Sequence, residues 1–216
     1  MIEVAFTDVS LSLGDAADPG VRAQALQQVA RESAATPVLM HQVHGAGVVL
    51  VDGGEDAAPA CDAIYTAEPG LALLARAADC VPVLLADPST GWVAAVHSGR
   101  PGLAAGIVPA AVAALRASGA DPTVAWVGPH VCGACYEVPA GLRDEVAAVV
   151  PAARSTTSWG TPALDLGAGV RAQLDAAGVT DVRVVDACTR EDPTWPSYRR
   201  DGAAATRFAG VIWSHR

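Results

Sequence analysis

A thiol and an imidazole stand at the two ends of what reads as one hairpin. Val81–Ala86 and Trp92–Val96 are apolar runs, and Asp87-Pro88-Ser89-Thr90-Gly91 separates them. Short Val- and Leu-rich runs divided by turn residues read as paired strands. Cys80 stands where the first run begins and His97 where the second ends. If the strands are antiparallel, these ends lie on one side of the sheet and the two side chains can meet. A thiol beside an imidazole is either a nucleophile with its base or two-thirds of a metal site.

His41 and His44 add to the set. They share the loop His41-Gln42-Val43-His44-Gly45, in a chain with five histidines. His44, Cys80 and His97 then make a Cys/His2 group drawn from three separate strand ends. Structural zinc usually takes four protein ligands, whereas catalytic zinc keeps three and a water whose pKa falls towards about 7. Three donors from three elements therefore suggest an open, catalytic site. Asp79 is placed to hydrogen-bond a histidine N–H or to act as a base, with a plain turn residue as the alternative. Cys132-Gly133-Ala134-Cys135 is a CxxC without a second pair, since Cys61 and Cys188 stand alone in the sequence. It follows Gly-Pro-His rather than opening a helix, and reads as structural. Arg100, Arg199 and Arg200 are candidates to hold phosphate or carboxylate bidentately, against exposed surface charge as the plainer reading.

The elements that must position these residues follow from pattern and punctuation. Strands are predicted over Glu3–Thr7, Thr36–Met40, Ala46–Val51 (closed by Asp52-Gly53-Gly54, with an acidic loop after it), Asp62–Thr66, the central hairpin, Thr123–Val127, Val182–Asp186 and Phe208–Ser214. Helices are predicted over Pro19–Ala34, Leu103–Ser118, Pro139–Val150 and from an Asp165 N-cap to Ala177. Gly99–Gly102 reads as a tight loop. Without repeats or a linker, residues 1–216 read as one domain of mixed α+β type with much antiparallel pairing.

Composition narrows the partners. The 216 residues are 51% hydrophobic, so a substantial core is available, and the net charge is −9. That charge, without a basic cluster, argues against nucleic acid and anionic membranes. Aromatics at 5% are too few for base-stacking platforms. Neither a secretory leader nor a run of about 18 apolar residues is evident. A cytoplasmic location is the expectation. Five irregularly spaced cysteines do not read as a disulfide framework.

Several spaced motifs occur together: His41-Gln42-Val43-His44-Gly45, Ala78-Asp79-Cys80-Val81-Pro82-Val83, Ala94-Ala95-Val96-His97-Ser98-Gly99, Gly128-Pro129 with Tyr136-Glu137-Val138, and Ser197-Tyr198-Arg199-Arg200. In this order, from Ser10-Leu11-Ser12-Leu13-Gly14-Asp15 to Val211-Ile212-Trp213, the chain resembles the laccase-domain family. These are the YfiH/YlmD-like proteins, also called polyphenol oxidoreductase or purine nucleoside phosphorylase proteins. The resemblance implies a four-layer α/β/β/α fold with mixed sheets, related to cysteine hydrolases of the cytotoxic-necrotising-factor type. It implies one zinc, for which copper is a possible substitute, on His44, Cys80 and His97. Cys80, His97 and Asp79 are the expected catalytic residues, and His41, Gln42, Arg100 and Arg199 the expected substrate contacts.

The implied activity is zinc-dependent phosphorolysis of adenosine, inosine and methylthioadenosine, with adenosine deamination alongside. Purine nucleoside and phosphate are the implied small-molecule partners. The alternatives are a cysteine or zinc amidohydrolase that edits peptidoglycan precursors, and a non-catalytic metal-binding relative. A multicopper oxidase calls on about ten histidines, since imidazole is the ligand that suits copper, and this chain has five. The chain departs from the family pattern at Ser98-Gly99-Arg100-Pro101-Gly102, where the family reads Ala-Gly-Trp-Arg-Gly. It also lacks the family's Thr-Arg-x-Gly-Gly loop near the N-terminus and carries Gln24-Ala25 for Asn-Arg on the first helix. Those arginines are natural anion contacts.

Overall fold

The computed structural model describes residues 1–53 and 57–215. Gly54 of the expected closing turn and the acidic loop at 55–56 lie outside the described residues. In chain order the elements are β1 (Ile2–Phe6), α1 (Pro19–Ser33), β2 (Thr36–Val38), β3 (Val48–Leu50), β4 (Ala63–Thr66), β5 (Leu71–Ala77), β6 (Val81–Ala86) and β7 (Val93–Ser98). They continue with α2 (Arg100–Ala105), α3 (Ile107–Ala117), β8 (Val124–Val127), α4 (Ala140–Val149), β9 (Arg154–Thr156), β10 (Pro162–Leu164), α5 (Leu166–Ala176), β11 (Asp181–Val184), α6 (Tyr198–Asp201) and β12 (Phe208–Ser214).

Two mixed sheets carry the fold. One has the order β1-β12-β5-β2 and the other β11-β8-β6-β7-β4-β3. The first has one parallel edge pair, β2 with β5, and the second has two, β11 with β8 and β3 with β4; every other described strand pairing in them is antiparallel. The two sheets are stacked. Leu84, Ala86, Val93 and Ala95 of the larger sheet meet Leu73, Ala75 and Ile212 of the smaller in one core. The alternate residues Val83, Leu85, Ala94 and Val96 face outward onto Leu103, Ile107, Val112, Val146 and Val170 of α2 to α5. On the opposite side, Ala72, Leu74, Val211 and Trp213 pack on Ala25 and Val29 of α1. The result is the expected α/β/β/α layering. Strands buried on both faces read as continuous apolar runs, as β5, β6, β7 and β12 do. Among the described residues, no helix is long and apolar enough to cross a membrane.

Local chemistry explains most boundaries. Asp18 caps α1 by accepting from the Gly20 and Val21 amides, with Pro19 at the first helical position. Asp165 caps α5 through the Ala168 amide, as its type and place suggested. The expected single helix Leu103–Ser118 is two helices. Gly106 at φ 80° leaves the right-handed helical region, ends α2 and starts α3. Arg100 to Gly102, expected as a loop, form the first turn of α2, with Gly99 as N-cap. Leu71–Ala77 forms β5, an interior strand of the smaller sheet between β12 and β2.

The β6–β7 turn is held by one carboxylate. Asp87, buried, accepts from the Ser89 amide at 2.9 Å, the Ser89 hydroxyl at 2.6 Å, the Thr90 hydroxyl at 2.7 Å and the Asp121 amide at 2.9 Å. Burial raises this carboxyl, but the hydrogen bonds outweigh it and hold it well below the ordinary carboxylate range. A folded pKa below the unfolded value contributes stability that is present above about pH 4 and lost as pH falls through the folded value. Asp87→Ala is expected to cost about 2 kcal/mol at pH 7, because buried donors lose their acceptor. The deficit should shrink as pH drops below about 4. Urea unfolding at pH 7 and at pH 3 checks both; equal deficits at the two pH values would refute the assignment.

Candidate metal centre and active-site cavity

β6 and β7 pair antiparallel with Val81 opposite Ser98 and Pro82 opposite His97. This brings Cys80 and His97 to the same end of the hairpin, as the sequence required. His44 arrives from the loop after β2. Donor atoms of His44, Cys80 and His97 all lie within 4.8 Å of one another. Cys80 Sγ and His44 Nε2 are 3.9 Å apart, and the His44 and His97 rings meet edge to face with centroids 4.8 Å apart. Zinc–sulfur and zinc–nitrogen bonds of about 2.3 and 2.0 Å put S and N about 3.5 Å apart across a tetrahedral edge. The donor set fits such an ion. Gly99 leaves the room: a Cβ there would lie 2.7 Å from His44 Cδ2 and 3.2 Å from Cys80 Sγ.

The residue that organises the donors is Asp62, at the head of β4 and fully buried. Its carboxylate accepts from the amides of Val43 at 3.3 Å, His44 at 2.9 Å and Gly45 at 2.6 Å. It also lies 2.9 Å from His97 Nδ1. These bonds hold the loop in shape, with His44 at φ 60° in the left-handed region. They also place a proton on His97 Nδ1 and leave Nε2 free to ligate. Burial works to raise the Asp62 carboxyl, but hydrogen bonds from His97 and from the Gly45 and His44 amides hold it below its usual value. Burial lowers His97 despite the Asp62 contact, which favours the neutral, ligating imidazole. Burial, helped by the Asp79 charge, pushes the Cys80 thiol up to about 12. A free thiolate nucleophile is poorly served here, whereas a cation on the sulfur would offset that penalty.

Asp79 does not count the expected hydrogen bond to a histidine among its contacts. At φ 85°, it accepts from the Thr189 hydroxyl at 2.7 Å and the Arg199 amide at 2.6 Å. It ties the start of β6 to the C-terminal segment, and the histidine contact belongs to Asp62 instead. The signal for Asp62 was an acid heading the apolar run Ala63-Ile64.

A cavity of about 860 Å³ opens over the three donors. Gln42, Arg76, Asp79, Tyr136, Tyr198, Arg199 and Arg207 line it with His44, Cys80 and His97. The Gln42 amide is engaged on both sides by the Arg76 backbone, at 2.8 and 2.9 Å, so it braces the wall. Arg199 stacks its guanidinium over the Tyr136 ring at 4.5 Å. His41 and Arg100, expected as substrate contacts, lie outside the lining. His41 is exposed, and Arg100 opens α2. Arg200 turns away to donate to the carbonyls of Thr189 and Trp195. Two cations were missed. Arg76 is buried in β5, donates to the Leu13 and Met40 carbonyls and pairs with Asp15. Arg207, after α6, donates to the carbonyls of Ala205 and Thr206. An arginine inside the apolar run Leu71–Ala77 was the available signal for the first.

The layering and this donor set define a protein with an open Cys/His/His centre beneath a cation-lined cavity. The chain belongs to the family described as multi-copper polyphenol oxidoreductase laccase, whose model matches residues 3–215. It is 53% identical over 212 residues to a purine nucleoside phosphorylase of Streptomyces coelicolor, covering 94% of this chain and 87% of the relative. It is 47% identical over 179 residues to one of Mycobacterium tuberculosis, covering 82% and 71%. Among solved structures it is similar to YlmD from Geobacillus stearothermophilus, with a TM-score of 0.89 at 28% identity, covering 100% of this chain and 92% of that one. A Neisseria meningitidis protein gives a TM-score of 0.90 at 28% identity, covering 100% and 95%.

Proposed function

We propose that this chain is a metal-dependent purine nucleoside phosphorylase acting on adenosine, inosine and methylthioadenosine, with adenosine deamination as a second activity of the same cavity. The observation that carries the reading is the Cys/His/His donor set at the floor of a cavity lined by three arginines, in a chain 53% identical to a relative bearing that name. The volume of about 860 Å³ is in the range of small-molecule sites. Zinc held by His44, Cys80 and His97 supplies Lewis acidity when bound. Asp62 keeps His97 in the ligating tautomer. Tyr198 in the lining is the aromatic candidate to pack on a purine, since Arg199 covers a face of Tyr136. Arg199 offers phosphate a fork of N–H donors, with Arg207 adding positive charge, while the charge of Arg76 is balanced by Asp15. In phosphorolysis a phosphate oxygen bonds to ribose C1′ as the bond to the purine nitrogen breaks. Positive charge near the phosphate therefore has to be held without blocking that approach.

The test is release of free base from inosine and adenosine by metal-loaded protein, with and without phosphate. Phosphate-dependent release is expected. Arg199→Met should raise the KM for phosphate about tenfold, with a smaller change in kcat, because a charge-assisted contact contributes about 1.5 kcal/mol or more. The absence of both free base and inosine from adenosine would refute the proposal. An unchanged phosphate KM would move the anion site away from Arg199.

A further inference from the structure

The CxxC is not alone in three dimensions. A parallel bridge between His130 and Cys188 lays the loop after β8 beside the loop after β11. Donor atoms of Cys132, Cys135, Cys188 and Glu191 come within 4.8 Å of one another. The two segments have the same local form. In the first, the Cys135 and Tyr136 amides both donate to the Cys132 carbonyl at 3.0 Å. In the second, the Glu191 and Asp192 amides donate to the Cys188 carbonyl at 3.1 and 2.9 Å. Each is a tight turn that presents donors three residues apart on one side. The missing second pair of the CxxC is therefore Cys188-Thr189-Arg190-Glu191, with a carboxylate in place of the last thiol. The Cys132 amide donates to Cys188 Sγ at 3.4 Å, and the Cys135 thiol donates to Glu191 Oε1 at 3.3 Å. An amide aimed at a sulfur stabilises charge on that sulfur. The Arg190 side chain donates to the Cys135 carbonyl at 3.4 Å and brings a positive charge beside the cluster.

We propose that Cys132, Cys135, Cys188 and Glu191 form a second, structural zinc site. Three thiolates and one carboxylate make a complete tetrahedral set, and sulfur donors select zinc over hard cations. The site staples the wall of the main cavity. Tyr136 follows Cys135 directly, and Thr189 follows Cys188 and holds Asp79. This inference is independent of the reading of the main cavity, because its donors include none of His44, Cys80 and His97 and its test is run with that first donor set removed.

The test starts from the full chain carrying His44→Ala and Cys80→Ser, which removes the first donor set. Metal analysis after zinc loading and desalting is expected to give about one zinc per chain, and adding Cys188→Ser should abolish it. If that triple variant does not fold, cobalt loading of the double variant decides the matter. Thiolate-to-cobalt charge-transfer bands of a tetrahedral three-sulfur site are expected there, together with protection of three cysteines from alkylation until a chelator is added. Folded double variant without zinc and without such bands would overturn the proposal. So would a Cys132–Cys135 disulfide in protein isolated without oxygen.

Discussion

Cys80→Ser is expected to remove bound metal from the main site and to lower kcat/KM for phosphorolysis on the order of 10³-fold. The thiolate is the one anionic donor among the three, and a neutral serine hydroxyl is a poor zinc ligand. Lewis-acid stabilisation of developing charge supplies several kcal/mol, and about 4 kcal/mol corresponds to three powers of ten. The fold should hardly notice. Serine differs from cysteine by one atom, and Cys80 is only partly buried at the cavity floor, so stability should change by less than about 1 kcal/mol. The same variant separates coordination from nucleophilic catalysis by an amidohydrolase. If Cys80 acts by attack, activity is lost while metal content stays the same, and an electrophilic probe labels Cys80 in active, metal-free protein. If it coordinates, metal and activity leave together. Full metal content combined with full activity in Cys80→Ser would sink both readings.

Asp62→Asn is expected to weaken zinc binding at the main site about 10- to 100-fold and to cost about 3 kcal/mol of stability. The geometry makes this isosteric change a severe one. Oδ1 accepts from the His44 amide and lies against His97 Nδ1, while Oδ2 accepts from the Val43 and Gly45 amides. Each oxygen therefore serves two donors. Either orientation of an asparagine amide sets its NH2 against N–H groups, leaving buried donors unpaired at about 1–3 kcal/mol each. The tautomer and tilt of His97 are released at the same time, and loss of such a partner typically weakens metal affinity by the stated factor. The pH dependence follows from the depressed folded pKa of Asp62. Its contribution is present above the unfolded value of about 3.9 and is lost as pH falls through the folded value. Denaturant unfolding and a competition titration with a chelating dye measure the two effects. Wild-type values in both would show that the carboxylate does not organise the centre.

Much of the site was legible because hairpin geometry is local. Asp87 to Gly91 read as a turn, so Cys80 and His97 could meet if the strands were antiparallel, and the register shows that they are. The histidine pair in His41-Gln42-Val43-His44 could be spotted by type. His44 was expected as the ligand, and its donor atom lies within 4.8 Å of those of Cys80 and His97; what holds it in place was not legible, because that is a loop folded around the Asp62 carboxylate just before β4. Asp79 attracted attention by standing next to Cys80 in sequence. Asp62 did the work expected of it from 35 residues away from His97. Adjacency in sequence was a poor guide because β4 and β7 are neighbours in the sheet while Asp79 points across to Thr189.

By itself, the sequence determined most of the elements, the ends of the central hairpin and the family, since periodicity, turn chemistry and ordered motifs are all carried by residues close along the chain. Only the tertiary structure decided the partners. It put Asp62 behind His97, brought Arg76 and Arg207 to the cavity beside the expected Arg199, left His41 and Arg100 outside it, and set Cys188 and Glu191 beside the CxxC. Periodicity reports which face of a strand or helix a residue takes. What that face meets is set by the stacking of two sheets and the closure of loops between distant strands, and neither is written in any local stretch.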